Sequence, residues 1–207
     1  MLINLRNALM TGKRLPYDAE VEYISFHGNE YIDSCINYET TSRIVFNFRP
    51  EYNPSVSSWS QDFFGCCYSD EGNGARCRRY ENSNAKCDIR IYNYWGQPSI
   101  NYRNFNTLDL SSGKYVVNGN QVTSRYGFGG KQSLNIWIGC CNLNGSPYRM
   151  APMDFKSMTV YDNYGNEAGR FIPVRVGSVG YIYDEISENL LGNGSGYGSI
   201  TPGNDIG

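Results

Sequence analysis

From Val21 onward, apolar side chains tend to recur at every second position. "RIVFNFR" (43–49) sets Ile44, Phe46 and Phe48 on one face and Val45 and Asn47 on the other. Successive side chains of an extended chain point to opposite sides, so this alternation predicts a strand with one buried face. "CDIRIYN" (87–93) repeats it, with Ile89 and Ile91 set against Arg90 and Tyr92. "KYVVNGNQV" (114–122) carries Asn118-Gly119 between two apolar runs, a hairpin signal because both residues accept positive φ. "SLNIWIGCC" (133–141), "FKSMTVYDNYG" (155–165) and "GRFIPVRVGSVGYIYD" (169–184) add further strands. Pro173 lacks an N–H and marks an edge or irregular position. The run "VEYISFHGNEYIDSCI" (21–36) places two short strands around a turn at His27-Gly28-Asn29, as a hairpin. The Gly-rich end, "GNGSGYGSITPGNDIG" (192–207), reads as a loose loop. About ten short strands without a long helix predict an all-β, two-sheet sandwich.

Residues 1–16 differ from the rest of the chain. Leu2, Ile3, Leu5, Leu9 and Met10 are apolar, positions 2, 5 and 9 fit a helical stripe, and Thr11-Gly12 would end it. Two readings stay open: a frayed terminus, or an anchor that folds only against a partner. With Pro16 as the boundary, residues 1–16 form an anchor or docking segment and 17–207 one domain.

Composition narrows the function. A formal net charge of −2, 18% charged residues and a pI of about 5.5 give no electrostatic case for nucleic acid. No stretch reaches the roughly 20 apolar residues of a membrane span, so no membrane insertion is expected. Asn4, Arg6 and Asn7 interrupt the apolar run that a signal peptide needs, which points to synthesis in a reducing cytoplasm. The 7 cysteines are then free, buried thiols. Two doublets, "FFGCCYS" (63–69) and "IWIGCCNL" (136–143), sit in matching contexts, and alternation allows each to bury one thiol in the core.

The two ends of the domain resemble concanavalin A-like, laminin-G-like jelly-roll domains of bacteriophage virion proteins and gut-bacterial surface proteins. That family opens with Glu-Tyr-Ile, a small Gly-containing turn, then Gln-Tyr-Ile-Asp-Thr-Gly. Here Glu22-Tyr23-Ile24, Gly28 and Tyr31-Ile32-Asp33 match, while Ser34 and Cys35 replace Thr-Gly. Its closing pattern is matched by Tyr161-Asp162, Phe171-Ile172-Pro173, Arg175, Gly180 and Tyr183-Asp184. The resemblance implies two antiparallel sheets with the terminal strands side by side. It also implies that Tyr23, Ile32 and the Phe171-Ile172 region are framework.

Some relatives of that fold hydrolyse β-glucans with a Glu-x-Asp-x-x-Glu strand, because retaining hydrolysis needs paired carboxylates. No Glu-x-Asp occurs here, and Asp184-Glu185-x-x-Glu188 has the wrong spacing, so no catalytic residues are expected. The lone histidine, His27, falls in the predicted turn and reads as exposed. The cysteine spacing lacks the C-x₂₋₄-C of zinc sites, so no metal site is assigned. "YSDEGNGARCRR" (68–79) reads as a solvated polar loop, with Asp70, Glu71 and Asn73 as the alternative of a calcium loop. Flat aromatic faces beside polar groups suit both sugar recognition and protein interfaces. On that ground Trp95, Tyr94, Tyr92, Tyr102 and Arg103, in the stretch 91–105 that ends at Phe105, and Trp59, in the loop-like "YNPSVSSWSQ" (52–61), are the candidate glycan-binding residues. Core packing claims about half of these aromatics.

The expectation is a non-enzymatic virion surface protein made in the host bacterial cytoplasm. It attaches to capsid or tail proteins and to its own copies as a homo-oligomer through residues 1–16, and displays a lectin-like jelly roll toward host-surface carbohydrate. The alternative is a purely structural decoration or head-fibre protein. No cofactor is expected unless calcium occupies a loop.

Overall fold

The computed structural model describes residues 14–51, 61–69, 74–79, 86–91, 94–111, 114–122, 125–126 and 131–206, and only the backbone of Tyr94, Arg125 and Tyr126. Twenty strands are found among the described residues. The first half holds β1 (Ala19–Glu20), β2 (Ile24–His27), β3 (Ile32–Asn37), β4 (Thr41–Pro50), β5 (Asp62–Cys67), β6 (Gly74–Arg79), β7 (Cys87–Ile91), β8 (Tyr94–Gly96), β9 (Asn106–Ser111) and β10 (Lys114–Val117). The second holds β11 (Asn120–Val122), β12 (Arg125–Tyr126), β13 (Asn135–Ile138), β14 (Cys141–Leu143), β15 (Ser146–Tyr148), β16 (Pro152–Asp162), β17 (Glu167–Val176), β18 (Val179–Asp184), β19 (Asn189–Leu191) and β20 (Thr201–Pro202). No helix among the described residues is long and apolar enough to cross a membrane.

The strands form two sheets whose pairing is antiparallel, apart from β14 running parallel to β5. The first sheet has the order β11-β10-β9-β4-β16-β17-β18-β19, with β2 and β20 along β16 and β1 along β17. The second has the order β12-β8-β7-β6-β5-β13-β3, extended by the β14–β15 hairpin. Alternation predicts the interior correctly. Ile44, Phe46 and Phe48 from one sheet and Phe64, Cys66, Cys77, Ile89 and Ile91 from the other are fully buried in one core. Phe46 stacks on Phe48 at 4.9 Å and tilts against Phe64 at 4.8 Å, so the rings join the two layers. Asn118 and Gly119 turn β10 into β11 with φ of 50° and 80°, as the Asn-Gly signal requires.

Four expectations are corrected. The 21–36 stretch is not a hairpin. β2 pairs with β16 and β20, whereas β3 pairs with β13 in the other sheet. Each strand is amphipathic, and the two bury Ile24 and Phe26, and Ile32, into the same core from opposite layers. The turn between them is therefore a corner, held by buried Glu30, which accepts from the N–H groups of His27 (2.7 Å) and Asn29 (3.2 Å). His27 itself is exposed, with Nε2 2.9 Å from Thr201 Oγ1.

The C-terminal run is not loose. β20 pairs with β2, Val21 bridges to Asp205, and Arg175 grips the Asp205 carboxylate with two contacts of 2.6 Å. The terminal strands lie side by side, as the resemblance implies. Pro173 occupies a gap in the ladder: its carbonyl accepts from Val21 N–H (3.1 Å), on the flank where β17 passes from β16 to β1.

Both doublets bury both thiols, because the central strands of the second sheet are covered on both faces: all six residues of β5 and all six of β6 are buried. "GARCRR" is for the same reason a buried strand and not a solvated loop; Asp70, Glu71 and Asn73 lie outside the described residues.

Cys35 stands where the resembled pattern has Gly, and its φ is +58°. A side chain in that left-handed region costs about 1–2 kcal/mol, part of which Gly returns as extra freedom in the unfolded chain. Cys35→Gly is expected to stabilise the fold by about 0.5–1 kcal/mol, read as a raised urea midpoint with an unchanged slope.

Candidate functional site

The predicted glycan residues scatter. Trp95 lies on β8 in the second sheet, half-buried, and its indole N–H donates to buried Asp88. Tyr102 packs against the core from the segment between the sheets, with a buried hydroxyl. Arg103 is exposed in that segment, its N–H held by the Asn101 side chain at 2.8 Å. Tyr92, Trp59 and the anchor residues Leu2, Ile3, Leu5, Leu9 and Met10 lie outside the described residues, as does the Tyr94 side chain.

What surrounds Trp95 is ionic. Cross-strand register sets Arg78 against Asp62 on one side and Asp88 on the other, Arg76 against Arg90, and Arg90 against Trp95. Arg78 Nε lies 2.8 Å and Arg90 Nε 3.4 Å from the same Asp88 oxygen. Arg76, Arg78 and Arg79 are all buried. Burial, then the Arg76 charge, pulls the Arg78 guanidinium down, and Asp88 opposes this. Removing one member of such a cluster strands the others without solvent, so its first role is structural.

An open site does exist, on the outer face of the first sheet. A cleft of about 670 Å³ lies between the two chain ends and the middle of the sheet, within the size range of small-ligand sites. Its floor is Arg49 of β4 with Lys156 and Ser157 of β16. The Tyr23 and Phe105 rings stand over it, their centroids 6.0 Å apart. Glu20, Glu22 and Asp205 supply a carboxylate wall.

A β-bulge builds the floor. Phe155 pairs with Phe48 and Ser157 with Asn47, so Lys156 is an extra residue without a partner across the ladder. Two outward residues therefore follow one another before Met158 returns to the core. Bulges re-aim side chains in this way. The Lys156 ammonium sits 5.1 Å from the Phe105 centroid, and the Arg49 guanidinium 5.0 Å from Phe105 and 5.3 Å from Tyr23. Arg49 is fixed by Asp154, with Nε to Oδ2 at 2.7 Å, and Ser25 donates to the other Asp154 oxygen at 2.5 Å. The C-terminal strand backs Tyr23: Gly203 N–H donates to the Tyr23 carbonyl at 2.8 Å, and a Cβ at 203 would press within 3.1 Å of the ring.

Phe105 belongs to the aromatic stretch picked out in the sequence, whereas Tyr23 and Ile172, expected as framework, line the cleft. Ile32 and Phe171 are buried as expected. The break in alternation at Lys156-Ser157 is the sequence signal that could have located the floor. Chemically the cleft offers ring faces, two cations and carboxylate acceptors. The Arg175 hydrogen bonds hold the Asp205 carboxyl below the usual range, so it stays an acceptor and is a poor proton donor.

Trp95→Phe leaves a smaller aromatic ring and removes the N–H that meets Asp88. It is expected to lower stability by about 1–3 kcal/mol, measured by urea unfolding. Comparison with family models, with curated proteins and with solved structures finds no match to this chain.

Proposed function

We propose that this protein is a non-enzymatic bacteriophage virion surface protein that binds host-surface glycan through the cleft between its chain ends. The observation that carries the ligand class is the pair of half-buried rings, Tyr23 and Phe105, set among Arg49, Lys156 and Glu22. The C–H faces of a sugar ring stack on aromatic faces, while its hydroxyls both donate and accept. A carboxylate beside two cations answers both needs. A binding role is supported over hydrolysis by the missing Glu-x-Asp motif. The virion setting and its capsid or tail attachment rest on the resemblance of the two terminal motifs. A single shallow site binds weakly, and display on an oligomer would raise avidity by about 10²–10⁴.

A glycan array probed with the full chain is expected to give a defined set of ligands. Phe105→Ala and Lys156→Ala should each weaken binding about tenfold or more, equivalent to the ~1.4 kcal/mol of one good stacking or charge-assisted contact. Trp95→Phe should leave it intact. Binding lost with Trp95→Phe but kept in both cleft variants would move the site to β8. No glycan bound by the intact chain would leave the structural decoration role.

Antibodies raised against residues 17–207 are expected to label purified virions in immunogold electron microscopy. Label at the tail tip accords with receptor attachment and label on the capsid with decoration. Unlabelled particles would remove the virion assignment.

A further inference from the structure

All seven cysteines are free, and six are buried. Two of them stand apart. Cys67 closes β5 and Cys141 opens β14, strands that run parallel with Cys141 opposite Gly65 and Leu143 opposite Cys67. In a strand, residues 65 and 67 face the same way, so both sulfurs project from one face of the sheet. They meet at 2.9 Å. A disulfide bond is about 2.05 Å long, so the sulfurs need to approach by less than about 1 Å.

We infer that Cys67 and Cys141 are the pair that closes into a disulfide when the protein meets an oxidising small-molecule disulfide, cross-linking β5 to β14. The inference is independent of the glycan reading.

The neighbouring structure favours this pair over the others. β14 is three residues long and turns through Asn144-Gly145 into β15, whose described ladder partner is β14 alone. Such a hairpin can absorb a small shift. Cys77 and Cys87 also touch, but they sit diagonally across β6 and β7, and between them Arg78 pairs with Asp88. β6 is held by β5 and β7 on its two flanks, so that pair has no slack.

The exchange balances as two displacements. The Cys67 thiolate attacks one sulfur of the oxidant and releases one thiolate. The Cys141 thiolate then attacks the Cys67 sulfur and releases the second. The protein loses two hydrogens and the oxidant becomes two thiols. Both sulfurs are buried, so the oxidant reaches them through local opening at the β5 end, next to exposed Tyr68. Arg76 lies within electrostatic reach of both sulfurs and favours the developing thiolates. The bond to Cys67 and then burial push the Cys141 thiol up, so the closed protein resists casual oxidation and reacts when the hairpin opens.

The test uses the purified full chain, incubated with oxidised glutathione for a day at mildly alkaline pH and then acid-quenched; one portion goes directly to intact-mass measurement and a second is alkylated in denaturant. Intact mass is expected to fall by about 2 Da, and non-reducing peptide mapping to recover a Cys67–Cys141 link. The bond closes a loop of 74 residues, so the thermal midpoint should rise by about 10 °C and return on reduction. Cys67→Ser and Cys141→Ser should each remove the rise. Mapping is done on the wild-type chain, so a variant that folds poorly does not blunt the test. Recovery of seven alkylated thiols, or of a link at Cys77–Cys87 or Cys66–Cys140 in its place, would overturn the inference.

Discussion

The register between β4 and β16 is the constraint on which the rest of the first sheet depends. The two strands pair from Pro50–Met153 to Thr41–Asp162, and a slip of one residue would turn Phe155, Met158 and Val160 out of the core. The extra residue at Lys156 lets both ends of β16 bury apolar side chains although their spacing breaks strict alternation. The same residue gives the outer face a second cation beside Arg49. Core formation and cleft formation are thus consequences of one bulge. Ser157 pairs across to Asn47, whose side chain donates to the Ser157 hydroxyl at 2.8 Å, so the bulge is pinned on its far side.

The cleft also depends on how the chain ends are tied. The N-terminal segment crosses the outer face, where Leu15 and Tyr17 cover Val174 and Tyr183. Tyr17 donates to Glu20 at 3.3 Å, and burial followed by that carboxylate's charge pushes the Tyr17 phenol well up, so it remains a donor. The C-terminal residues return to the same place, with Ile206 N–H donating to the Glu20 carbonyl at 2.9 Å and Asp205 gripped by Arg175. One carboxylate wall of the cleft therefore comes from residues at opposite ends of the chain. Residues 18–22 and 201–206 are held by backbone pairing, and Asp205 by one bidentate ion pair, before any ligand is bound.

The second sheet is built on a different balance. Its central strands β5 and β6 are covered on both faces, so the side turned from the main core must be filled too. It is filled by arginines, aspartates and thiols. Buried charges persist only when paired, and Asp88 accepts from Arg78 and Trp95 and lies close to Arg90. Thiols suit such a layer as small, weakly polar groups that tolerate burial beside charge.

The sequence by itself determined the class of fold and most of the interior. Period-2 runs named Ile44, Phe46, Phe48, Ile89 and Ile91 as core, and Asn118-Gly119 as a turn, because these signals act over a few residues. It also brought Phe105 into view, as the end of an aromatic stretch beside polar groups. Only the tertiary structure decided that β2 and β3 enter different sheets, since local alternation is identical for a hairpin and a corner. The same holds for "GARCRR", whose charges read as solvated until Asp62 and Asp88 are brought opposite from β5 and β7. Tyr23, Lys156 and Asp205 are far apart in the chain, and no local pattern joins them. Their meeting is a property of strand order, where a bulge in one strand and two chain ends reach one face of the sheet.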